Sequence, residues 1–195
     1  FTHYEYDSRD DLVGVYPPSV PYPKPGEPEG ASNRQSSYSY RYDFLHRYIY
    51  KKLPERDAIY YIYDRGSHQV FSQDGEQRAR GEWSFSLSDE FSRPVVTGTC
   101  HNSYFYEDLQ LSEINVKARR DDTGTAFHGY IPENITLTTP VVYTVNYYDD
   151  YSFIGKHGVP TSLNYTTPPS GYGTRYTESS KGLLTGTVTA RVDAT

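Results

Sequence analysis

A short pattern, tyrosine–any residue–tyrosine–aspartate, recurs along this chain where predicted strands end. It stands at Tyr40–Asp43 and Tyr61–Asp64, and a first copy lies at Tyr4–Asp7. Side chains alternate between the two faces of a strand, so the two tyrosines of each copy share one face. An aspartate at a strand end can close a turn by accepting hydrogen bonds from backbone N–H groups two residues on. The pattern therefore predicts strands joined by turns that an aspartate holds closed.

Two weaker copies extend the series. Asp89 has lost the tyrosines but keeps Arg93 four residues on, as Asp43 keeps Arg47, and a fifth copy is predicted at Tyr147–Asp149. Repeats of this kind predict stacked units that together bury a core which no single unit buries alone. The residues assigned to the turns and repeats are Tyr4, Tyr6, Asp7, Tyr40, Tyr42, Asp43, Tyr61, Tyr63, Asp64, Asp89, Arg93, Tyr148 and Asp149.

The composition favours the same architecture. The chain has 22 Tyr among 195 residues, and tyrosine suits a half-buried sheet because its ring packs while its hydroxyl reaches water. Between Ile59 and Gly98, short β-rich runs alternate with Gly, Asp and Ser clusters, which is typical of hairpins. We predict an all-β fold, a curved antiparallel sheet of consecutive hairpins with at most one short helix, spanning residues 1–195 as a single segment.

The pattern weakens in three regions. Residues 16–35 are rich in proline, which predicts an exposed, polyproline-like loop. Residues 156–180 are rich in Gly, Pro, Ser and Thr and predict a second long loop. Tyr106–Ala118 is the candidate for the short helix, because acidic residues stand at its start and Lys117 near its end.

No set of residues has the spacing of a catalytic or metal-binding site. Cys100 and His101 are neighbours on a predicted strand and point to opposite faces, so they do not form a nucleophile and its base. The six histidines lack the ligand spacing of a zinc site. We therefore predict no enzyme activity, no metal and no cofactor. The net charge of −6 and the scattered basic residues argue against nucleic acid, and no apolar run is long enough to span a membrane.

The aspartate pattern resembles the motif of RHS repeats, also called YD repeats, which reads Tyr-x-Tyr-Asp-x-x-Gly-Arg. Tyr40–Asp43 and Tyr61–Asp64 match its first half. The phrases FSQDGEQRARGEW…DEFSRPVVTG, NYYDDYSF and KGLLTGT are similar to RHS proteins of Bacteroidetes. One feature departs from the family: where its motif has glycine three residues after the aspartate, this chain has Asp10, His46, Ser67 and Ser92. This departure leaves the type of turn open.

The resemblance implies a structural function. RHS repeats wind into a β-shell that encloses a C-terminal toxin or effector domain, on bacterial proteins that are secreted or exposed at the cell surface. The chain would then be a non-catalytic wall segment, a fragment of a longer array, and its partners would be the remaining repeats of the parent chain and that C-terminal domain. The alternative is a carbohydrate-binding module that stacks sugar rings on tyrosines of one sheet face. A wall buries Tyr61 and Tyr63, whereas a lectin exposes two or three tyrosines in a line.

The last predicted strand, Leu183–Val192, has no charge or proline before Arg191. Natural proteins usually protect an exposed sheet edge with such residues. We therefore expect weak self-association through pairing of edge strands.

Overall fold

The computed structural model describes residues 1–22, 35–107, 110–121, 126–163, 170–171 and 180–191. Twelve strands lie in these ranges: β1 His3–Tyr6, β2 Leu12–Tyr16, β3 Tyr38–Tyr42, β4 Tyr48–Lys52, β5 Ile59–Tyr63, β6 Gln69–Gln73, β7 Trp83–Ser88, β8 Pro94–Cys100, β9 Lys117–Arg120, β10 Tyr130–Glu133, β11 Val141–Tyr148 and β12 Leu184–Thr189. The α-helix α1 is Gly75–Arg80, and 3-10 turns lie at Gln110–Glu113, Ala126–His128 and Thr161–Leu163.

Ten of these strands form one sheet in the order β1-β2-β3-β4-β5-β6-β7-β8-β11-β12, and β9 pairs with β10 separately. The first eight strands of the order follow the chain, so each strand of this part lies beside the strand before it in sequence. The described pairs are antiparallel, among them β1 with β2, β3 with β4 and β5 with β6. The predicted all-β fold of consecutive hairpins is confirmed.

The chain divides into two compact units, each with its own core. Unit 1 comprises Phe1–Trp83 and Asn102–Glu113, and unit 2 comprises Ser84–His101 and Ile114–Thr195. In unit 1, the fully buried Phe71 packs edge-on against Trp83, with ring centroids 6.2 Å apart, and against Tyr104 at 4.8 Å. Aromatic pairs in such arrangements stabilise a core beyond the area that they bury.

The core of unit 2 is built from alternate residues of β7 and from β8, which is buried on both faces. Phe85 and Leu87 on β7 are buried, and so are Val95 and Val96 on β8. On β11 the fully buried Tyr147 stacks on Phe153, with ring centroids 4.2 Å apart and an angle of 4° between the planes. The alternation along β7 explains why the sequence Trp-Ser-Phe-Ser-Leu-Ser forms a strand with one apolar face.

The prediction of a short helix at Tyr106–Ala118 is wrong. This segment contains the 3-10 turn Gln110–Glu113 and then enters β9. The buried residues Val116 and Ala118 are two positions apart, which is the period of a strand rather than of a helix. The α-helix lies instead at α1, directly after β6.

Helix α1 has clear start and stop signals. Asp74 caps its first turn by accepting a hydrogen bond from the backbone N–H of Gln77, and the Gln77 side chain accepts one from the N–H of Asp74. This reciprocal pair is a capping box. Gly81 ends the helix with φ +63°, in the left-handed conformation that glycine adopts without steric cost.

The predicted loops fall partly inside the described residues. Residues 17–20 form a turn after β2, closed by the N–H of Val20 on the carbonyl of Pro17, and residues 23–34 of the proline-rich loop lie outside the described ranges. Of the second predicted loop, residues 156–180, the structure describes residues 156–163, which include the 3-10 turn Thr161–Leu163, and residues 170, 171 and 180, whereas residues 164–169 and 172–179 lie outside the described ranges. The last predicted strand, Leu183–Val192, corresponds to β12, which spans Leu184–Thr189. Within the part of the chain that the structure describes, no helix is long and apolar enough to cross a membrane.

Candidate functional site: the aspartate turns

Four turns of the sheet share one hydrogen-bond pattern, and an aspartate begins each of them. In the second turn, Oδ1 of Asp43 accepts from the backbone N–H of Leu45 at 2.8 Å and of Arg47 at 3.1 Å. The N–H of Asp43 donates to the carbonyl of Arg47 at 3.0 Å, and the N–H of His46 donates to the carbonyl of Asp43 at 3.2 Å. The turns at Asp7 and Asp89 repeat all four bonds, and the turn at Asp64 repeats three of them.

The fourth residue of each turn has a positive φ. The values are 62° at Asp10, 60° at His46, 64° at Ser67 and 64° at Ser92. A three-residue hairpin loop with a left-handed residue at this position carries a β-bulge, and the strand registers shift at Tyr6, Tyr42 and Tyr63 accordingly. These positions are the ones where the RHS motif has glycine. The turns of this chain therefore adopt a glycine-type backbone with larger residues.

The carboxylate compensates for this backbone. A left-handed non-glycine residue costs on the order of 1–3 kcal/mol and persists only where its surroundings hold it. In the turns at Asp7, Asp43 and Asp89, the aspartate binds the N–H groups on both sides of the strained residue. Two backbone hydrogen bonds to the carboxylate, from Arg9 as the larger cause and from Asp11 as the second, hold the pKa of Asp7 below its usual value. A charged acceptor forms stronger hydrogen bonds than a neutral one, which favours aspartate over asparagine at these sites.

The tyrosines before the turns differ in exposure. Tyr4 and Tyr6 on β1 are exposed by 56% and 58%, whereas Tyr61 and Tyr63 on β5 are half-buried. Burial raises the pKa of both Tyr61 and Tyr63. The Arg47 guanidinium lies 4.6 Å from the centroid of the Tyr63 ring, so one face of this ring is covered by a cation.

Tyr40 and Tyr42 on β3 are half-buried and pack on their neighbour Tyr48. The ring centroid of Tyr48 lies 4.8 Å from that of Tyr42 and 5.5 Å from that of Tyr40. The hydroxyl of Tyr42 donates to the carbonyl of Leu12 on β2 at 2.9 Å. Burial, followed by the hydrogen bond with Tyr48, raises the pKa of Tyr42. The packed rings stabilise the β3–β4 hairpin, and the Tyr42 hydroxyl connects it to β2 of the preceding hairpin.

Long polar side chains link the first turn to the second. The guanidinium of Arg9 donates to the carbonyl of Asp43 at 2.8 Å. In the opposite direction, Nδ1 of His46 donates to the carboxylate of Asp11 at 2.7 Å. The carboxylate can only accept, so His46 carries its proton on Nδ1 in this contact.

The second turn is linked to the third in the same way. Arg47 binds the carboxylate of Asp43 at 2.6 Å, and its guanidinium continues to the carbonyl of Asp64 at 3.2 Å and to Oγ of Ser67 at 3.0 Å. In the third turn His68 takes the place of this arginine, with Nδ1 3.1 Å from Oδ2 of Asp64. The side chain four positions after the aspartate thus binds the carboxylate of its own turn in the second and third turns. In the second turn this side chain, Arg47, also binds the third turn.

The fourth turn uses Arg93, which joins two aspartates. Its guanidinium binds Asp89 at 2.7 Å and Asp149 at 2.8 Å. It also lies 4.3 Å from the ring centroid of Tyr148 and 5.0 Å from that of Phe91. Hydrogen bonds with Asp149 first, and with Asp89, raise the pKa of Arg93.

Asp149, the aspartate of the predicted fifth copy, does not close a turn of its own. It has φ +73°, its N–H donates to the carbonyl of Leu183, and its Oδ1 accepts from the N–H of Gly182 at 2.6 Å. β11 pairs with β8 on one side and with β12 on the other, and β12 begins more than thirty residues later along the chain. Asp149 therefore connects the end of β11 to the segment before β12 and to Arg93.

A cavity of about 500 Å³ in unit 2 borders this arginine. Charged side chains line it, and several of them are paired with each other: Arg119 with Glu133 at 2.7 Å, and Arg120 with Asp150 at 3.5 Å. Among the residues that the structure describes, no three His, Cys, Asp or Glu side chains are placed to hold a metal ion. Cys100 is fully buried on β8 and is not part of this cavity.

Searches against family models and curated proteins found no match for this chain. The geometry of the turns is therefore the basis of the functional argument.

Replacing Arg93 by alanine is expected to lower the free energy of unfolding by about 1–2 kcal/mol, because two carboxylates lose their shared cation. Acid should also lower the free energy of unfolding less in the variant than in the wild type. The hydrogen bond from Arg93, then the one from Gly182, holds the pKa of Asp149 below its usual value. A lowered folded-state pKa stabilises the fold above the unfolded value of about 3.9, and this contribution is lost as the pH falls towards the folded value. Urea unfolding at several pH values between about 3 and 6 measures both effects.

Arg119→Ala is the matched control. Arg119 also lies in unit 2 and pairs with a carboxylate, but its side chain is 55% exposed, against 22% for Arg93. Exposed ion pairs contribute only about 0–1 kcal/mol. Equal losses of stability in the two variants would show that Arg93 is an ordinary surface charge.

Proposed function

We propose that this chain is a non-catalytic wall segment of an RHS-type repeat protein, part of a β-shell that encloses a C-terminal toxin or effector domain. One observation carries the proposal: the same type of aspartate turn occurs four times in successive hairpins, and side chains link the first turn to the second and the second to the third. A device of this kind stacks hairpins in a fixed register. The resemblance of the turn motif to YD repeats supports the assignment to this family.

The tyrosines of the second and third copies favour a wall over a carbohydrate-binding module, whereas Tyr4 and Tyr6 of the first copy are exposed on one face of β1. Tyr61 and Tyr63, in the best-preserved copy, are half-buried, and Arg47 covers one face of Tyr63. Tyr48, with 44% exposure, packs on two other tyrosines. A sugar-binding platform needs free ring faces. The Tyr63 ring is used for a contact with the turn of the preceding hairpin, and the Tyr48 ring packs within its own hairpin, β3–β4.

The absence of catalysis is part of the proposal. The carboxylates of the four turns bind backbone N–H groups. Arg9, His46 and Arg47 bind neighbouring turns, His68 binds the aspartate of its own turn, and Arg93 binds Asp89 and Asp149. Catalytic groups must instead reach a substrate from a concave site. We propose that the chain needs no cofactor, and that its partners are the other repeats and the enclosed domain of a secreted or surface-exposed bacterial protein.

The proposal predicts the size and the place of the native protein. An antibody against this chain, used on the cells that produce it, should detect a polypeptide several times longer than 195 residues. The polypeptide should be found in the medium, or be degraded by protease added to intact cells. A cytoplasmic protein serves as the control for cell integrity. Detection only of a protein of about this chain's length, or only inside the cells, would overturn the proposal.

A further inference from the structure

The two end strands of the ten-stranded order, β1 and β12, each have one neighbour in the described sheet. In the part of the chain that the structure describes, no strand pairs with the outer edge of either one, so each leaves backbone N–H and C=O groups there. Such edges are templates for pairing with another chain, and proteins usually protect them with charge, proline or a bulge. The two edges of this chain differ in chemistry.

The β12 edge is apolar, and one positively charged residue precedes the strand in the sequence and another follows it. A cavity of about 420 Å³ runs along residues 185–188 of this strand, and its other lining residues include Tyr151, Phe153 and Val159. The strand itself carries no charged side chain, and the exposed Lys181 and Arg191 flank it. This edge can accept a strand that brings large apolar side chains and negative charge.

The β1 edge has these properties. Tyr4 and Tyr6 stand on one face of β1 with more than half of each side chain exposed. Glu5 lies between them, and the turn that follows carries Asp7 and the exposed Asp10. Tyrosine is enriched where protein surfaces meet, because its ring buries a large area at a low cost in conformational entropy.

We propose that copies of this chain associate head to tail, with β1 of one copy added to the β12 edge of the next. The described neighbours in the sheet are antiparallel, and antiparallel addition places the Asp7–Asp11 turn beside Lys181. Pairing of β12 with a second β12 would instead bring Lys181 opposite Arg191, two like charges. Opposite charges at a contact select the orientation and the partner.

The proposal does not depend on the wall function, because it uses only the two edges. Each copy has one edge of either kind, so the contact is heterologous and a dimer leaves two edges open for further copies. The contact consists of a few strand hydrogen bonds and two aromatic side chains, which is typical of weak association.

Two variants that each block one edge test the orientation. Tyr4→Lys puts a cation on β1, and Val188→Lys puts one into the cavity beside β12. Sedimentation velocity over a concentration series should show growth beyond the monomer for the wild type. Each variant alone should associate roughly tenfold more weakly. An equimolar mixture of the two should form a dimer and nothing larger, because it retains one intact β1 edge and one intact β12 edge.

Thermal unfolding first shows that both variants are folded. If Val188→Lys is not folded, the exposed-charge variant Lys181→Glu replaces it on the same edge, and association should then fall as the acidic turn meets an acid. If Tyr4→Lys is not folded, Asp10→Lys replaces it in the exposed turn after β1, and association should fall as Lys181 meets a cation. Association of the wild type should also weaken at high salt, which screens the charge pair. A monomeric wild type at high concentration, normal association of either folded variant alone, or a monomeric mixture would each overturn the proposal.

Discussion

Replacing Asp64 by alanine is expected to lower the free energy of unfolding by about 2–3 kcal/mol. Asp64 is fully buried, its Oδ1 accepts the backbone N–H of His68 at 2.8 Å, and its Oδ2 lies 3.1 Å from Nδ1 of the same residue. Alanine leaves these donors without an acceptor inside the protein, and an unsatisfied buried donor costs more than a lost exposed bond. Urea unfolding monitored by the signal of Trp83 measures the change.

Two control variants separate burial from hydrogen bonding. Asp64→Asn keeps an acceptor oxygen but loses the charge, so its loss of stability should be smaller than that of alanine. Asp74→Ala removes the cap of α1, where the side chain is exposed, and should cost about 1 kcal/mol. If Asp64→Ala costs no more than Asp74→Ala, the buried carboxylate has no special role in the turn.

The aspartate turns were visible in the sequence because they are local. All four use an aspartate and the N–H group four residues on, and three also use the N–H group two residues on, so a pattern of five residues contains nearly all of the interaction. The backbone at the fourth position was left open, since Ser67 and Ser92 are poor candidates for positive φ. The structure shows that the hydrogen bonds of the turn impose this conformation even on serine.

The links between turns were not visible. Arg9 reaches Asp43, thirty-four residues away, and Arg47 reaches Asp64, seventeen residues away. The spacing between copies varies, so no fixed interval in the sequence relates these partners. Asp149 could not be interpreted from local sequence for the same reason. Its motif matches the other copies, but β12, the strand beside it, comes from a distant part of the chain.

Helix α1 could have been found from the sequence. Asp74 and Gln77 have the spacing of a capping box, and Gly81 stands where a helix would end. In contrast, Tyr106–Ala118 has charges that suit a helix, but the positions of its buried side chains do not have the helical period.

Replacing Gly98 by alanine is expected to cost about 3 kcal/mol or more, or to prevent folding of unit 2. Gly98 is a buried residue of β8, opposite Val142 of β11. An added Cβ would lie 2.1 Å from the carbonyl oxygen of Val141 and 2.9 Å from the ring of Phe85. The carbonyl belongs to a paired strand, so relief of the clash requires β8 and β11 to separate. Circular dichroism and thermal unfolding measure the result.

Gly186→Ala is the matched control, since it too adds one methyl group to a strand of unit 2. Its Cβ would meet the ring of Phe153 at 2.4 Å, and all of its near contacts are with that side chain. A side chain can rotate or shift, whereas the backbone of a paired strand cannot move alone, so the loss should be smaller than at Gly98. Equal losses would mean that the spacing between β8 and β11 adapts as readily as a side chain. The close approach of the two backbones at Gly98 would then not be what holds these strands in register.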